Sequence, residues 1–164
     1  MNLPPRYSEV RAGLQMNEVS YGCGGIRLFG PAEIEQGQVG YCVAPDGKSL
    51  CDPDNGGWRQ NWTVIGYETA CGDPIFIDTD DSALPVLTAV HGEGAWEPQP
   101  VAISIEAFAR SFEEFARVSQ GRSNPVDRDS NPLPGNEREA YLRRVAELNQ
   151  KQFAPDFWAV LLEC

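Results

Sequence analysis

Three short apolar runs lie in a row between Trp62 and His91, and they constrain the fold more than any other feature of the chain. They read Trp62-Thr63-Val64-Ile65-Gly66-Tyr67-Glu68, Ile75-Phe76-Ile77-Asp78 and Pro85-Val86-Leu87-Thr88-Ala89-Val90-His91. Cys71-Gly72-Asp73-Pro74 and Thr79-Asp80-Asp81 supply turn chemistry between them. Runs of this length, rich in β-branched and aromatic residues and bounded by Gly, Pro and Asp, predict three strands in a meander. Ser104 then reads as an N-cap, and Ile105, Phe108, Ala109, Phe112, Phe115 and Ala116 trace one apolar stripe at helical spacing. A helix of that kind covers the apolar face of the sheet that precedes it.

The first run puts Trp62 and Val64 on one face and Ile65 and Tyr67 on the other, which predicts an interior strand covered on both sides. In the second run Ile75 and Ile77 share a face and Phe76 takes the other; the third is apolar enough to be central. Upstream, Tyr7, Val10 and Leu14 behind Pro4-Pro5 predict a short amphipathic helix. Asn17 to Gly25 reads as a flexible turn, Ile26 to Phe29 as a brief strand, and Pro31 to Glu35 as one helical turn. Residues 36–61 are the least regular part, with turns at Pro45-Asp46-Gly47 and Asp52-Pro53-Asp54-Asn55-Gly56-Gly57. Gly121 to Gly135 is a linker by composition; Tyr141, Leu142, Val145 and Leu148 predict a further helix, and Pro155 starts another with Phe157, Trp158, Leu161 and Leu162. The expected fold is α+β: an antiparallel sheet of about four to six strands covered by helices, with extra C-terminal helices. At 164 residues it forms one domain, with a core at about 3–116, a linker at 121–136 and a helical extension over 137–164.

The formal charge of −11 is unevenly spread. Residues 62–100 carry Glu68, Asp73, Asp78, Asp80, Asp81, Glu93 and Glu97 with no Lys or Arg, whereas the segments on either side are nearly balanced. Such a field repels phosphate backbones and anionic membranes and draws a basic partner, so neither nucleic acid nor membrane is an expected ligand. No run near the N-terminus has the length of a signal peptide and no window reaches that of a membrane span, which predicts a soluble, cytoplasmic protein. The five cysteines are odd in number, with no Cys-x-x-Cys pair, and match neither a disulfide framework nor a zinc site.

Catalytic signals are sparse. His91 is the single histidine, at the end of an apolar strand, and no nucleophile elbow, phosphate loop or zinc-protease motif accompanies it. Gly22-x-Gly24-Gly25 lacks the strand-and-helix context of a dinucleotide loop. The run from Asp52 has Pro53 inside it and Thr63 where a calcium loop needs Glu. No enzyme activity, metal or cofactor is expected. Trp96, between Glu93 and Glu97 in a glycine-flanked loop, has two readings: a contact anchor ringed by charge, or local packing.

The succession W-T-V-I-G-Y-E, C-G-D-P-I-F-I-D, V-L-T-A-V-H and V-A-I-S-I-E-A-F-A-R-S-F resembles the core of the SUKH superfamily, the fungal cell-wall-synthesis regulators and their bacterial immunity-protein relatives. Leu3-Pro4 with Tyr7 is similar to that family's Leu-Pro-x-x-Tyr opening, and Arg27-Leu28 with Glu33 to its first strand and turn. The match covers residues 3–35 and 62–116; the helix that usually precedes Leu-Pro is missing, residues 36–61 look inserted, and the helices after Gly135 exceed the minimal core. The resemblance implies an α+β fold without a catalytic centre and a role in binding and neutralising a cognate toxin domain, often a nuclease. Nucleases of that kind tend to be basic. Joined to the charge pattern, this makes Asp78, Asp80, Asp81, Glu93, Trp96 and Glu97 the expected partner-binding residues. The alternative is a scaffold or regulatory module for an endogenous partner, like the fungal relatives.

Overall fold

The computed structural model describes residues 3–151 and 156–163. Its centre is a six-stranded sheet in which every neighbour is antiparallel and strand order follows chain order. The strands are β1 (Glu18–Tyr21), β2 (Gly24–Leu28), β3 (Trp62–Glu68), β4 (Pro74–Asp78), β5 (Val86–Thr88) and β6 (Gln99–Ala102). Connections this short between most neighbours permit only antiparallel pairing, since a parallel crossover needs a dozen or more residues. The helices are α1 (Pro5–Gly13), α2 (Ile105–Ser119), α3 (Pro125–Ser130), α4 (Gly135–Leu148) and α5 (Asp156–Val160). The architecture is the α+β meander with added C-terminal helices that the sequence predicts.

One face of the sheet carries the main core. Ile26, Leu28, Ile65, Ile75, Ile77, Val86 and Val101 point into it and meet Phe108, Phe112 and Phe115 of α2. Ser104 caps α2 by accepting from the Ala107 amide at 3.1 Å. Tyr141 and Val145 of α4 and Trp158 of α5 close the far side of α2. The opposite face bears Trp62, Val64 and Phe76, with the alternation predicted for β3 and β4. It is covered by the irregular segment 36–61, which delivers Trp58, Tyr41, Cys42 and Cys51 onto those rings. The Trp58 indole lies 4.7 Å from Phe76 and 5.3 Å from Trp62, and its N–H donates to the Trp62 carbonyl at 3.0 Å. What looks like an insertion is therefore the second covering layer.

Gln38 shows how that layer is fastened. β2 pairs with β3 only from Gly66 onward, and a shift in register between Val64 and Gly66 marks a bulge beside it. At Val64, Gln38 stands where a neighbouring strand would: its Oε1 accepts from the Val64 N–H at 3.0 Å and its Nε2 donates to the Val64 C=O at 2.8 Å. The same Nε2 also donates to the Ile34 carbonyl at 2.7 Å. A side-chain amide thus replaces one step of the ladder, in a site only 1% exposed. The structural demand is strict, because a buried backbone pair needs both partners.

Five points differ from expectation. Asn17 to Gly25 is a β-hairpin rather than a flexible turn, with Val19 and Tyr21 buried and Gly22 at positive φ in the turn. Gly25 is required there, because a Cβ would sit 2.3 Å from the Val19 carbonyl oxygen. β6, unpredicted, precedes α2. The third strand spans only Val86–Thr88. The 121–136 segment holds α3, capped by Asn124 Oδ1 on the Asp127 amide, and buried Arg122 ties it to α2 through the Val118 and Asn131 carbonyls. Pro31 to Glu35 is a turn leading into a short 3-10 segment. The placement of Pro155 at a helix start lies outside the described residues.

Gln38→Met keeps the volume but strands both Val64 backbone groups, and at about 1–3 kcal/mol per unpaired group it lowers unfolding free energy by about 2–6 kcal/mol in urea titration. Burial pushes the Tyr7 phenol up to about 12. A raised folded-state value means that stability is intact below the ordinary tyrosine value near 10 and falls as pH rises from there through 12. Tyr7→Phe flattens that alkaline loss, measured as melting temperature against pH.

Candidate functional site

A meander sends alternate connections to opposite ends of its sheet, and this divides the acidic stretch. The β1–β2 hairpin, the β3–β4 turn and the β5–β6 loop emerge at one end, here the turn end. The β4–β5 loop emerges at the other. Glu68, Asp73, Glu93 and Glu97 accordingly belong to the turn end, and Asp78, Asp80 and Asp81 to the opposite one. The six residues expected to form one contact surface are thus split into two groups by strand connectivity.

At the opposite end, Asp78 is half-buried; its Oδ1 accepts from Asn61 Nδ2 at 2.6 Å and from the Asp80 amide at 3.0 Å. Asp81 accepts from the Ala83 amide at 2.8 Å. These carboxylates shape their loop. Basic groups distant in sequence also gather here. Arg6 donates to the Ser82 carbonyl and pairs with Glu106. Its pKa is raised by the Glu106 bond first, with the nearby Asp81 charge adding to it. Arg59 lies over the Trp62 ring, 5.0 Å from its centroid. The opposite end is therefore partly compensated.

The turn end is built by its own carboxylates. Glu68 accepts from the amides of Ala70, Cys71 and Asp73, closing the β3–β4 turn around Gly72 at positive φ. Asp73 Oδ1 accepts from the His91 amide at 3.0 Å and lies 2.6 Å from His91 Nδ1, which ties the β5–β6 loop to that turn. His91 is itself exposed. Glu93 and Glu97 project from the same loop into solvent. Trp96 between them turns inward: its ring stands 5.1 Å from Trp58 and 5.5 Å from Tyr41, and its amide donates to the Gly56 carbonyl at 2.8 Å. Of its two readings, local packing is the one that the geometry describes. It closes the aromatic layer.

Next to these turns lies a concave apolar surface of about 420 Å³ between the sheet and α5, lined in part by Cys71, Pro100, Phe157 and Val160, with Glu68, Asp73 and Asp156 on its lining. A second depression of about 270 Å³, lined by Val90, Glu93, Ala95, Glu97 and Gln99, adjoins it through Gln99. Among the described residues, no Lys or Arg lines either one. Glu68 and Asp73 had a sequence signal as members of the acidic stretch, and Asp73 also as a turn residue. Asp156 and the groove did not, because helix and turns meet only in space.

The β6 edge beside the groove is closed to strand addition. Pro100 has no N–H, the Val101 carbonyl accepts from Trp158 Nε1 at 3.0 Å, and the Ile103 amide donates to Asn149 Oδ1 at 3.0 Å. Among the described residues, no three of His, Cys, Asp and Glu come together as ligands for a metal ion, and no helix is long and apolar enough to cross a membrane.

Trp96→Ala removes a half-buried ring from the aromatic layer and lowers stability by about 2–3 kcal/mol in chemical denaturation, somewhat below the 3–5 of a fully buried site. A contact residue without packing would leave it unchanged. Comparison with family models, with curated proteins and with solved structures returns no match to this chain.

Proposed function

We propose that this chain is a non-catalytic protein-binding module of SUKH type, an immunity protein that holds and neutralises a cognate basic toxin domain of the nuclease kind. The observation that carries the reading is the turn end of the sheet. There Glu68, Asp73, Glu93, Glu97 and Asp156 accompany two adjoining depressions that, among the described residues, no Lys or Arg lines. Arg128 and Arg138 lie apart from these depressions, beside Tyr21 of the β1–β2 hairpin. A lining of one sign raises the association rate of an oppositely charged partner and disfavours like-charged ones. A nuclease that must grip a phosphate backbone offers the complementary sign.

The contact is accordingly assigned to the turn end, with Glu93 and Glu97 from the expected set as its exposed charges. Asp78, Asp80 and Asp81 act on the partner only at long range, beside Arg6 and Arg59. The resemblance in the meander and α2 supports the class, and the charge supports the sign of the partner. A scaffold binding an endogenous partner uses the same surface and differs in its biology: its loss disturbs growth with no toxin present.

The reading predicts that a secreted protein with a lethal C-terminal domain is encoded beside this chain, and it is tested by co-expressing the chain with that domain. Rescue of growth is expected, and failure of rescue overturns it. Charge reversal of Glu93, Glu97 and Asp156 to Lys lowers the association rate with the captured toxin by tenfold or more at low salt, and much of that difference vanishes at high ionic strength. Reversal of Asp80 and Asp81 has a smaller effect on the same rate.

A further inference from the structure

We propose that the apolar groove between the turn end and α5 receives one large apolar side chain, flanked by Lys or Arg, from a surface segment of a partner protein. This deepens the reading of the chain as a binding module and rests on it for the nature of the occupant. The groove's volume, about 420 Å³, lies within the size range of ligand pockets. Most of its exposed lining is apolar, with Pro100 of β6 and Phe157, Val160 and Leu161 around α5 contributing. Val160 keeps 58% of its surface in water, and Val90, in the adjoining depression, keeps 53%. Neither is used by the core. Exposed apolar side chains grouped around a concavity and edged by polar groups mark an interaction site.

Charge selects among occupants. Among the described residues, every formally charged one on the groove's lining is acidic: Glu68, Asp73 and Asp156. A partner's apolar anchor therefore docks with cations beside it, the arrangement in which a central anchor supplies affinity and rim charges supply approach and register. A second copy of this chain would bring its own net charge of −11 against the same carboxylates. An added strand is barred by the capped β6 edge.

The test titrates the ¹⁵N-labelled chain with three octapeptides: Lys-Ser-Lys-Phe-Leu-Lys-Ser-Lys, the same peptide with Ser-Ser in place of Phe-Leu, and the same peptide with every Lys changed to Glu. The first is expected to bind, with amide shifts at Cys71, Thr88, Gln99 and Val160, and the other two at least tenfold more weakly. Val160→Lys puts a cation on the groove and costs the first peptide tenfold or more, whereas Val126→Lys, at an exposed site on α3, changes nothing. Equal binding of the first two peptides, shifts centred on Asp80 and Asp81, or no binding at millimolar peptide overturns the proposal. So does sedimentation showing a dimer that Val160→Lys dissolves, which gives the face to a second copy. Co-expression separates this inference from the one beneath it. If Val160→Lys neutralises the toxin as well as the parent chain, the groove fails and the function stands. If the parent chain binds the first peptide but fails to neutralise, the function fails and the groove stands.

Discussion

β3 is buried on both faces, and a strand in that position needs two covers and a partner for every backbone group along its length. Helices α1, α2, α4 and α5 form one cover, around Phe108, Phe112 and Phe115. Segment 36–61 forms the other, with Trp58 against Trp62 and Phe76. Where β2 ends short of Val64, the Gln38 amide completes the ladder in its place. An irregular stretch can serve as a structural layer because side chains, not strand geometry, fasten it. The aromatic contacts among Tyr41, Trp58, Trp62, Phe76 and Trp96 then fix its distance from the sheet.

The same meander that makes this core decides where charge can gather. Adjacent turns leave by opposite ends, so carboxylates contiguous in sequence need not be neighbours in space. Asp81 comes to rest near Arg6, while Asp73 is drawn to His91 across the β5–β6 loop. Carboxylates near the groove also serve the fold: Glu68 holds three amides of its own turn. The sign of the surface is thus set partly by groups that the backbone itself requires.

Periodicity revealed the interior strands because Val64, Ile65, Ile75, Phe76 and Ile77 are apolar on both faces, a pattern that survives without any knowledge of partners. The helix α2 was equally plain from Ser104 and its phenylalanine stripe. β1 and β6 were hidden for a shared reason. Both are edge strands four residues long, one beside Gly22 and Gly24, the other containing Pro100, and such residues read locally as turns. α3 carried a usable signal, Asn124 followed by Pro125, which the surrounding Pro and Gly residues masked. The acidic excess was legible as a sum, but its division between two ends was not. That division depends on strand connectivity, and the groove depends on α5 meeting turns more than fifty residues away in the chain.

The bonds that Trp158 and Asn149 make to β6 also impose a schedule on synthesis. Val101 leaves the ribosome 57 residues ahead of the indole that later takes its carbonyl. At ordinary elongation rates of about 5–20 residues per second, that interval is roughly 3–11 s. Throughout it the nascent sheet has a border with hydrogen-bonding capacity to spare. Pro100 is the one safeguard already in place by then, since it withholds a donor from the moment it is made.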